Sequence, residues 1–231
     1  MSQFNRDHQQ TAETKTNAPY IPALRWKGLT PFYDVLLRWV MQEEHFKREL
    51  IRQAQIQPGQ HVLDLGCGTA TLAVMVKQAY PDALVTGLDG DPQVLQIGRA
   101  KAKKAGVALT LDQGMAYELP YPDASFDRVL SSLMFHHLTT QNKQRAIKEV
   151  YRVLRPGGSF LIVDFGRPQG IWSRLILPVM ARLEEVADNY KGLLLTMLRL
   201  AGFEAIASTA NFETLFGTLV LYAGRKPAGI A

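Results

Sequence analysis

One stretch constrains this chain more than any other: His61-Val62-Leu63-Asp64-Leu65-Gly66-Cys67-Gly68-Thr69-Ala70-Thr71-Leu72. Residues 61–65 set β-favouring apolar side chains around Asp64, and Gly66 and Gly68 then break the run. From Leu72 the apolar residues Leu72, Ala73, Val76 and Ala79 recur at helical spacing. The spacing predicts a strand, a glycine turn and a helix start. Glycine lets backbone approach a ligand with no side chain between them. The helix N-terminus adds unpaired N–H groups and a partial positive charge.

A second carboxylate narrows what that ligand is. Leu84-Val85-Thr86-Gly87-Leu88-Asp89 reads as a strand ending in an acid, followed by Gly90, Asp91 and Pro92. An acid at the tip of the second strand of a βαβ unit is placed to accept hydrogen bonds from ribose hydroxyls. The ligand is therefore expected to carry a nucleoside. Two ligand classes suit this geometry. A dinucleotide fingerprint, Gly-x-Gly-x-x-Gly, needs glycine at 71, where Thr71 stands.

The observed pattern, Asp64-x-Gly66-x-Gly68-x-Ala70, resembles the first motif of class I S-adenosylmethionine (SAM)-dependent methyltransferases, with Ala70 where many members carry a third glycine. The run from Phe126 to Asp164 resembles the small-molecule branch of that family. The triplet Phe32-Tyr33-Asp34 resembles a segment of the ubiquinone and menaquinone C-methyltransferases. The resemblance implies an α/β, Rossmann-like, doubly wound sheet of seven mostly parallel strands, with an antiparallel last strand and a helical lid. It implies SAM as cofactor, S-adenosylhomocysteine as product and a small, apolar methyl acceptor. The cofactor residues it implies are Asp64 at the methionine end, the loop Gly66, Cys67 and Gly68, Asp89 and Gly90 at the ribose, Met115 and Ala116 at the adenine, Ser132, and Tyr33 from the lid. Many relatives carry an acid where Met115 stands, so the adenine amino group needs another partner, a backbone carbonyl or Asp112. A nicotinamide oxidoreductase on a similar fold and a SAM-binding protein without transferase activity are the alternatives.

Composition sets bounds on both. At 231 residues and 47% hydrophobic, the chain is long enough for one domain with a full core. A single cysteine excludes a disulfide framework and fits a reducing, cytoplasmic setting. No apolar run approaches the ~18 residues that span a bilayer, which leaves only peripheral membrane contact. The net charge of +5 invites nucleic acid as a partner. However, Lys143, Arg145, Lys148, Arg152 and Arg155 read as the solvated face of one helix, so no nucleic-acid partner is expected. No His or carboxylate set has metal-ligand spacing, and a monomer or homodimer is expected.

In chain order, the Gln-, Thr- and Asn-rich residues 1–19 read as a disordered tail. Residues 20–57 read as a helical lid over the strand ends, with an apolar side of Phe32, Leu36, Trp39, Val40 and Phe46. Residues 58–231 form the methyltransferase domain. Its third strand is expected at 107–111, a loop with a helical turn at 114–123, and a fourth strand at 125–132. A helix capped near Thr140, a turn at Arg155-Pro156-Gly157-Gly158 and a fifth strand at 159–164 follow. A helical insertion at about 170–190 carries the stripe Trp172, Leu175, Ile176, Val179, Met180 and Leu183. A helix from 188 to 200 and strands at 203–208 and 218–222 close the domain.

Methyl transfer from a sulfonium asks for in-line alignment more than covalent help. His136 and His137 follow the fourth strand, at the edge where ligands of open α/β sheets bind. Neutral imidazole accepts a proton near pH 7, which makes this pair the catalytic candidate. The family's DNA amino-methylating members carry prolines after strand four, and Ser132-Leu133-Met134-Phe135 has none.

Overall fold

The computed structural model describes residues 43–170 and 187–229. Apolar runs flanked by glycine give seven strands: β1 His61–Leu65, β2 Leu84–Asp89, β3 Thr110–Gln113, β4 Phe126–Ser132, β5 Leu154–Phe165, β6 Glu204–Thr214 and β7 Gly217–Arg225. The described helices are α1 Glu43–Ala54, α2 Thr71–Ala79, α3 Pro92–Ala105, α4 Thr140–Val153, α5 Ala187–Tyr190 and α6 Leu193–Leu200, with a 3-10 turn at Phe135–His137. The strands form one sheet in the order β3-β2-β1-β4-β5-β7-β6. β1 to β5 pair in parallel, and β7 runs antiparallel between β5 and β6. The chain order reverses direction at β1 and β4, which makes the carboxyl ends of those strands the crevice.

Parallel strands are covered on both faces, so they read as unbroken apolar runs whose alternate residues serve two cores. Val62, Leu130, Leu161, Val163 and Leu221 pack with Phe46, Leu50 and Ile51 of α1 and Leu72 and Val76 of α2. Leu63, Val129, Phe160, Ile162 and Val220 pack with Ile147 and Val150 of α4 and Leu194 and Leu198 of α6. Burial on this scale supplies most of the fold's stability, at about 25 cal/mol per Å² of apolar surface.

Several boundaries differ from the sequence expectation, each for a local reason. Gly106 ends α3 in the left-handed region, and Val107 N–H closes on Ala102, so β3 begins at Thr110 rather than at 107. The 114–123 loop contains a Met115–Glu118 bridge and turns in place of a helical turn. The residues 155–158 are not a free turn but an irregularity inside β5, whose pairing jumps from Phe126–Leu154 to Arg128–Ser159. Gly192, at φ +74°, splits the expected 188–200 helix into α5 and α6. β6 runs on to Thr214, as a largely exposed edge strand with two breaks in register.

α1 corrects one expectation. The described part of the lid lies on a face of the sheet, not over its strand ends. Phe46 and Leu50 are fully buried there, and Arg128 Nε donates to the terminal carbonyl of Ala54 at 2.7 Å, a group the helix itself leaves unpaired. The remainder of the lid with Phe32, Tyr33, Leu36, Trp39 and Val40, the 1–19 tail, and the stripe from Trp172 to Leu183 lie outside the described residues.

A tight packing constraint follows β5. A Cβ on Gly166 would stand 2.3 Å from Val220 Cγ2 and 2.9 Å from Val220 Cβ. Valine is stiff at χ1 and cannot swing away. Gly166→Ala is expected to cost about 1–3 kcal/mol by overpacking. Urea denaturation should show a lower midpoint at unchanged slope, and Val220→Ala in the same chain should return part of the loss.

Candidate active site

The glycine loop is held by the strand beside it. The N–H groups of Gly66 and Cys67 both donate to Leu88 O, at 2.8 and 3.0 Å. Asp89 then binds the loop with one carboxylate oxygen and the following turn with the other: Gly68 N–H donates to Oδ2 at 2.8 Å and Asp91 N–H to Oδ1 at 3.0 Å. A carboxylate has about four lone-pair sites, so Asp89 retains acceptor capacity at the rim. Asp91 caps α3 through Gln93 N–H at 2.8 Å, with Pro92 at the first helical position.

The two glycines do different things. Gly68 has φ +51°, and a Cβ there would meet nothing within 4 Å, so this backbone faces open space. Gly66, at φ +71°, would put a Cβ 2.3 Å from Met134 Cγ. It is glycine because the protein's own Met134 lies against it. Ala70 sits in the left-handed region at φ 58° and is fully buried. A Cβ on Gly98 of α3 would stand 3.0 Å from that of Ala70, so glycine on the helix makes room for the methyl on the loop.

Asp64 is only 1% exposed, and its Oδ2 accepts from Ala73 N–H of α2 at 3.0 Å. Burial pushes its pKa up to about 7, against the pull of Lys47 and the Ala73 hydrogen bond. Lys47 comes from α1, is itself buried, and is ion-paired to Glu43. Nothing in the sequence between residues 43 and 64 signals that proximity. The Cys67 thiol is buried against the position a Gly87 side chain would occupy, and burial, with Asp64 and Asp89 nearby, drives its pKa far up. It is a packing thiol, and only its backbone belongs to the loop.

On the adenine side, Ala116 is buried with Leu119 in the second core, while Met115 and Gly90 remain half-buried at the rim. Asp112, one of the two partners foreseen for an adenine amino group, accepts from Tyr121 Oη at 3.0 Å. Ser132 ends β4, and its Oγ is buried without a hydrogen-bond partner. A buried hydroxyl without a partner is costly, and a polar ligand at this edge would relieve it. Together with the open backbone at Gly68 and the rim carboxylate of Asp89, it fits a nucleoside-bearing cofactor.

The histidines, adjacent in sequence, are separated by the fold. Leu133 at φ 56° turns the chain after β4, and the 3-10 turn presents His136 inward and His137 outward. His136 is buried, with Nδ1 2.9 Å from Asp164 Oδ1, and its ring lies 4.0 Å from that of His137, tilted by 44°. Asp164, at the end of β5, is fully buried and also accepts from Phe135 N–H (2.8 Å), Phe165 N–H (2.8 Å) and Asn189 Nδ2 (3.1 Å). Burial alone would raise its pKa, but the charge and hydrogen bond of His136 and the Phe165 N–H bring it below the usual carboxylate range. His137 is exposed at the edge, yet the protein around its ring, and His136 beside it, draw its pKa down to about 4. Asp164 carries the same signal as Asp89, an acid at a strand's carboxyl end, whereas Asn189 has no sequence signal at all. Among the described residues no cluster of His, Cys, Asp and Glu could hold a metal ion, and no helix is long and apolar enough to cross a membrane.

Asp64 generates a pH prediction. Its ordinary pKa is 3.8 and its folded value about 7, so between those limits the folded chain holds the extra proton and stability falls as pH rises. Asp64→Asn keeps an acceptor for Ala73 N–H and removes the buried charge. Without ligand, its Tm is expected to exceed that of the parent at pH 8, by about 2–4 °C per kcal/mol relieved, and to converge with it near pH 4. Melting curves from pH 4 to 8 check this; equal Tm values at pH 8 would contradict it.

Comparison with known proteins agrees with this geometry. A methyltransferase domain family matches residues 62–158. The demethylmenaquinone methyltransferase of Listeria welshimeri is 32% identical over 178 residues, spanning 72% of this chain and 74% of that protein. The enzyme of the same name from Thermus thermophilus is 28% identical over 225 residues, spanning 86% and 98%. Among solved structures, YcgJ of Bacillus subtilis superposes with a TM-score of 0.69 at 20% identity, over 80% of this chain and all of that one. A geranyl diphosphate methyltransferase bound to GPP and sinefungin gives 0.66 at 16% identity, over 80% and 77%. With its glycine loop, its acid at the tip of the second strand and its seven-stranded sheet, the chain belongs to the class I SAM-dependent methyltransferases, in the group related to the demethylmenaquinone methyltransferases, and is an enzyme that moves a methyl group from SAM to a small-molecule acceptor.

Proposed function

We propose that the acceptor is a hydroxylated aromatic ring with an apolar tail, of the demethylmenaquinone type. The observation that carries this reading is the 32% identity to an enzyme of that name across 74% of its length. When bound, SAM supplies a methyl group on a positively charged sulfur. This chain's residues hold and orient it. Asp64, with Lys47 behind it, takes the methionine end; the Gly66, Cys67 and Gly68 backbone lines the approach. Asp89 and Gly90 take the ribose, Met115 and Ala116 the adenine, and Ser132 lends its unpartnered hydroxyl. Tyr33, which lies outside the described residues, joins the cofactor residues of this proposal.

Of the two histidines, His137 faces the acceptor, because it is the one exposed at the strand edge. A neutral imidazole there accepts a hydrogen bond or a proton from a ring hydroxyl, and adds no second positive charge near the sulfonium. The enzyme works without nucleic acid, as a cytoplasmic monomer or homodimer in peripheral contact with the lipid that dissolves such an acceptor.

Incubation with SAM and a short-tailed reduced demethylmenaquinone is expected to yield S-adenosylhomocysteine and a ring-methylated product, read by mass spectrometry. SAM binding without any product would reject this acceptor class. Asp89→Ala is expected to weaken SAM by about 1.5–3 kcal/mol, roughly 10- to 100-fold in Kd. Calorimetry with an unchanged Kd would remove Asp89 from the site. Hydrogen exchange should show residues 20–42 protected on adding S-adenosylhomocysteine; protection confined to 64–90 would take Tyr33 out of the site.

A further inference from the structure

Asp164 is fully buried with its lone-pair sites filled, and the donors come from three separate parts of the chain. Phe135 and His136 belong to the turn after β4, Phe165 to the end of β5, and Asn189 to α5. The same short helix is fixed to α4 next door, where Asp188 accepts from Thr140 Oγ1 at 2.5 Å and pairs with the buried Lys143 at 3.6 Å. His136 has Phe165 against one side, at 5.0 Å and nearly perpendicular, and His137 against another at 4.0 Å. The ring that His137 rests on is therefore fixed in plane and in position.

Its tautomer is fixed as well. A carboxylate only accepts, so the nitrogen facing Asp164 must carry hydrogen, and Nε2 is the atom at which His136 gains or loses a proton. Serine hydrolases use an aspartate behind a histidine in this way, to hold tautomer and orientation. Here the exposed imidazole is not the one bound to the carboxylate: His137 meets the held His136 ring by ring contact alone.

We propose that Asp164 is a positioning residue for methyl transfer: acting through the His136 ring, it sets the orientation in which His137 meets the acceptor. The proposal rests on the assignment of His137 to the acceptor side. Asn189 supports Asp164, and its amide orientation is set by donation to the carboxylate. Its own Oδ1 is left buried without a partner, so α5 accepts an unmet polar atom in order to hold this carboxylate.

The test uses the full chain with SAM and a short-tailed reduced demethylmenaquinone, and compares Asp164→Asn, His137→Ala and the double variant. Asparagine is isosteric but neutral, and its NH2 must face one of the two sets of N–H donors that Oδ1 and Oδ2 of Asp164 accept, so the cluster that holds the His136 ring is broken. The expected result is a kcat about 100-fold lower in D164N, with S-adenosylhomocysteine affinity within twofold of the parent. In the His137→Ala background the same change should lower kcat less than twofold, the signature of two residues acting as one unit. An equal drop in both backgrounds would make Asp164 purely structural, and an unchanged kcat would dismiss it. Should D164N not fold, His136→Asn keeps a donor on Asp164 while removing the ring, and it must show the same dependence on His137. Long-range ¹H–¹⁵N spectra give a readout that needs no acceptor. They should show His136 with hydrogen on Nδ1 in the parent, and both the His136 and the His137 signals displaced in D164N. If the parent turns over no acceptor, the proposed substrate class fails, and the spectra alone decide: undisturbed His137 signals in D164N overturn the proposal.

Discussion

The site depends on a small set of hydrogen bonds between neighbouring strand ends. Leu88 O takes two N–H groups from the glycine loop, and Asp89 takes a third. Successive N–H groups of a tight loop have no partners of their own, and left unpaired each would cost about 1–3 kcal/mol when buried. Satisfying them on β2 fixes the loop relative to Asp89, so the glycine loop and the acid proposed for the ribose are one rigid object. The parallel sheet makes this possible, since adjacent parallel strands end at the same edge.

The other half of the site is built on the same edge, one strand further on. Ser131 Oγ donates to Leu65 O at 3.0 Å and ties β4 to the start of the glycine loop. Met134 then lies against Gly66. The glycine loop and the turn that carries the histidines thus touch. Position along the sheet, and not a flexible hinge, sets their separation. Asp64 contributes in the opposite sense: a buried acid near pH 7 costs stability and is retained where a cationic ligand group can use it.

Legibility followed the physics of each element. β1, β2 and the Asp91 cap were readable because alternation, glycine breaks and capping chemistry are local. β6 was under-read because an exposed edge strand carrying Asn211 and Glu213 has no apolar period to detect. Gly192 was passed over as a helix break because a lone glycine is compatible with a helix interior. The placement of α1 on a sheet face depends on Phe46 and Leu50 meeting Leu130 and Leu161, contacts made far along the chain. Lys47 beside Asp64 and Asn189 beside Asp164 belong to the same class, pairings decided by topology. The histidines were found by position, but only the fold could tell the buried one from the exposed one.

The missing third glycine of the cofactor loop carries a consequence for a second position in the sequence. Ala70 occupies a left-handed position and directs its methyl at the place where Gly98 has none. The two positions form one steric unit divided between a loop and a helix: a methyl at 98 would stand 3.0 Å from the methyl of Ala70 and 3.2 Å from Leu111 Cδ1, so the residue allowed at either position depends on the other.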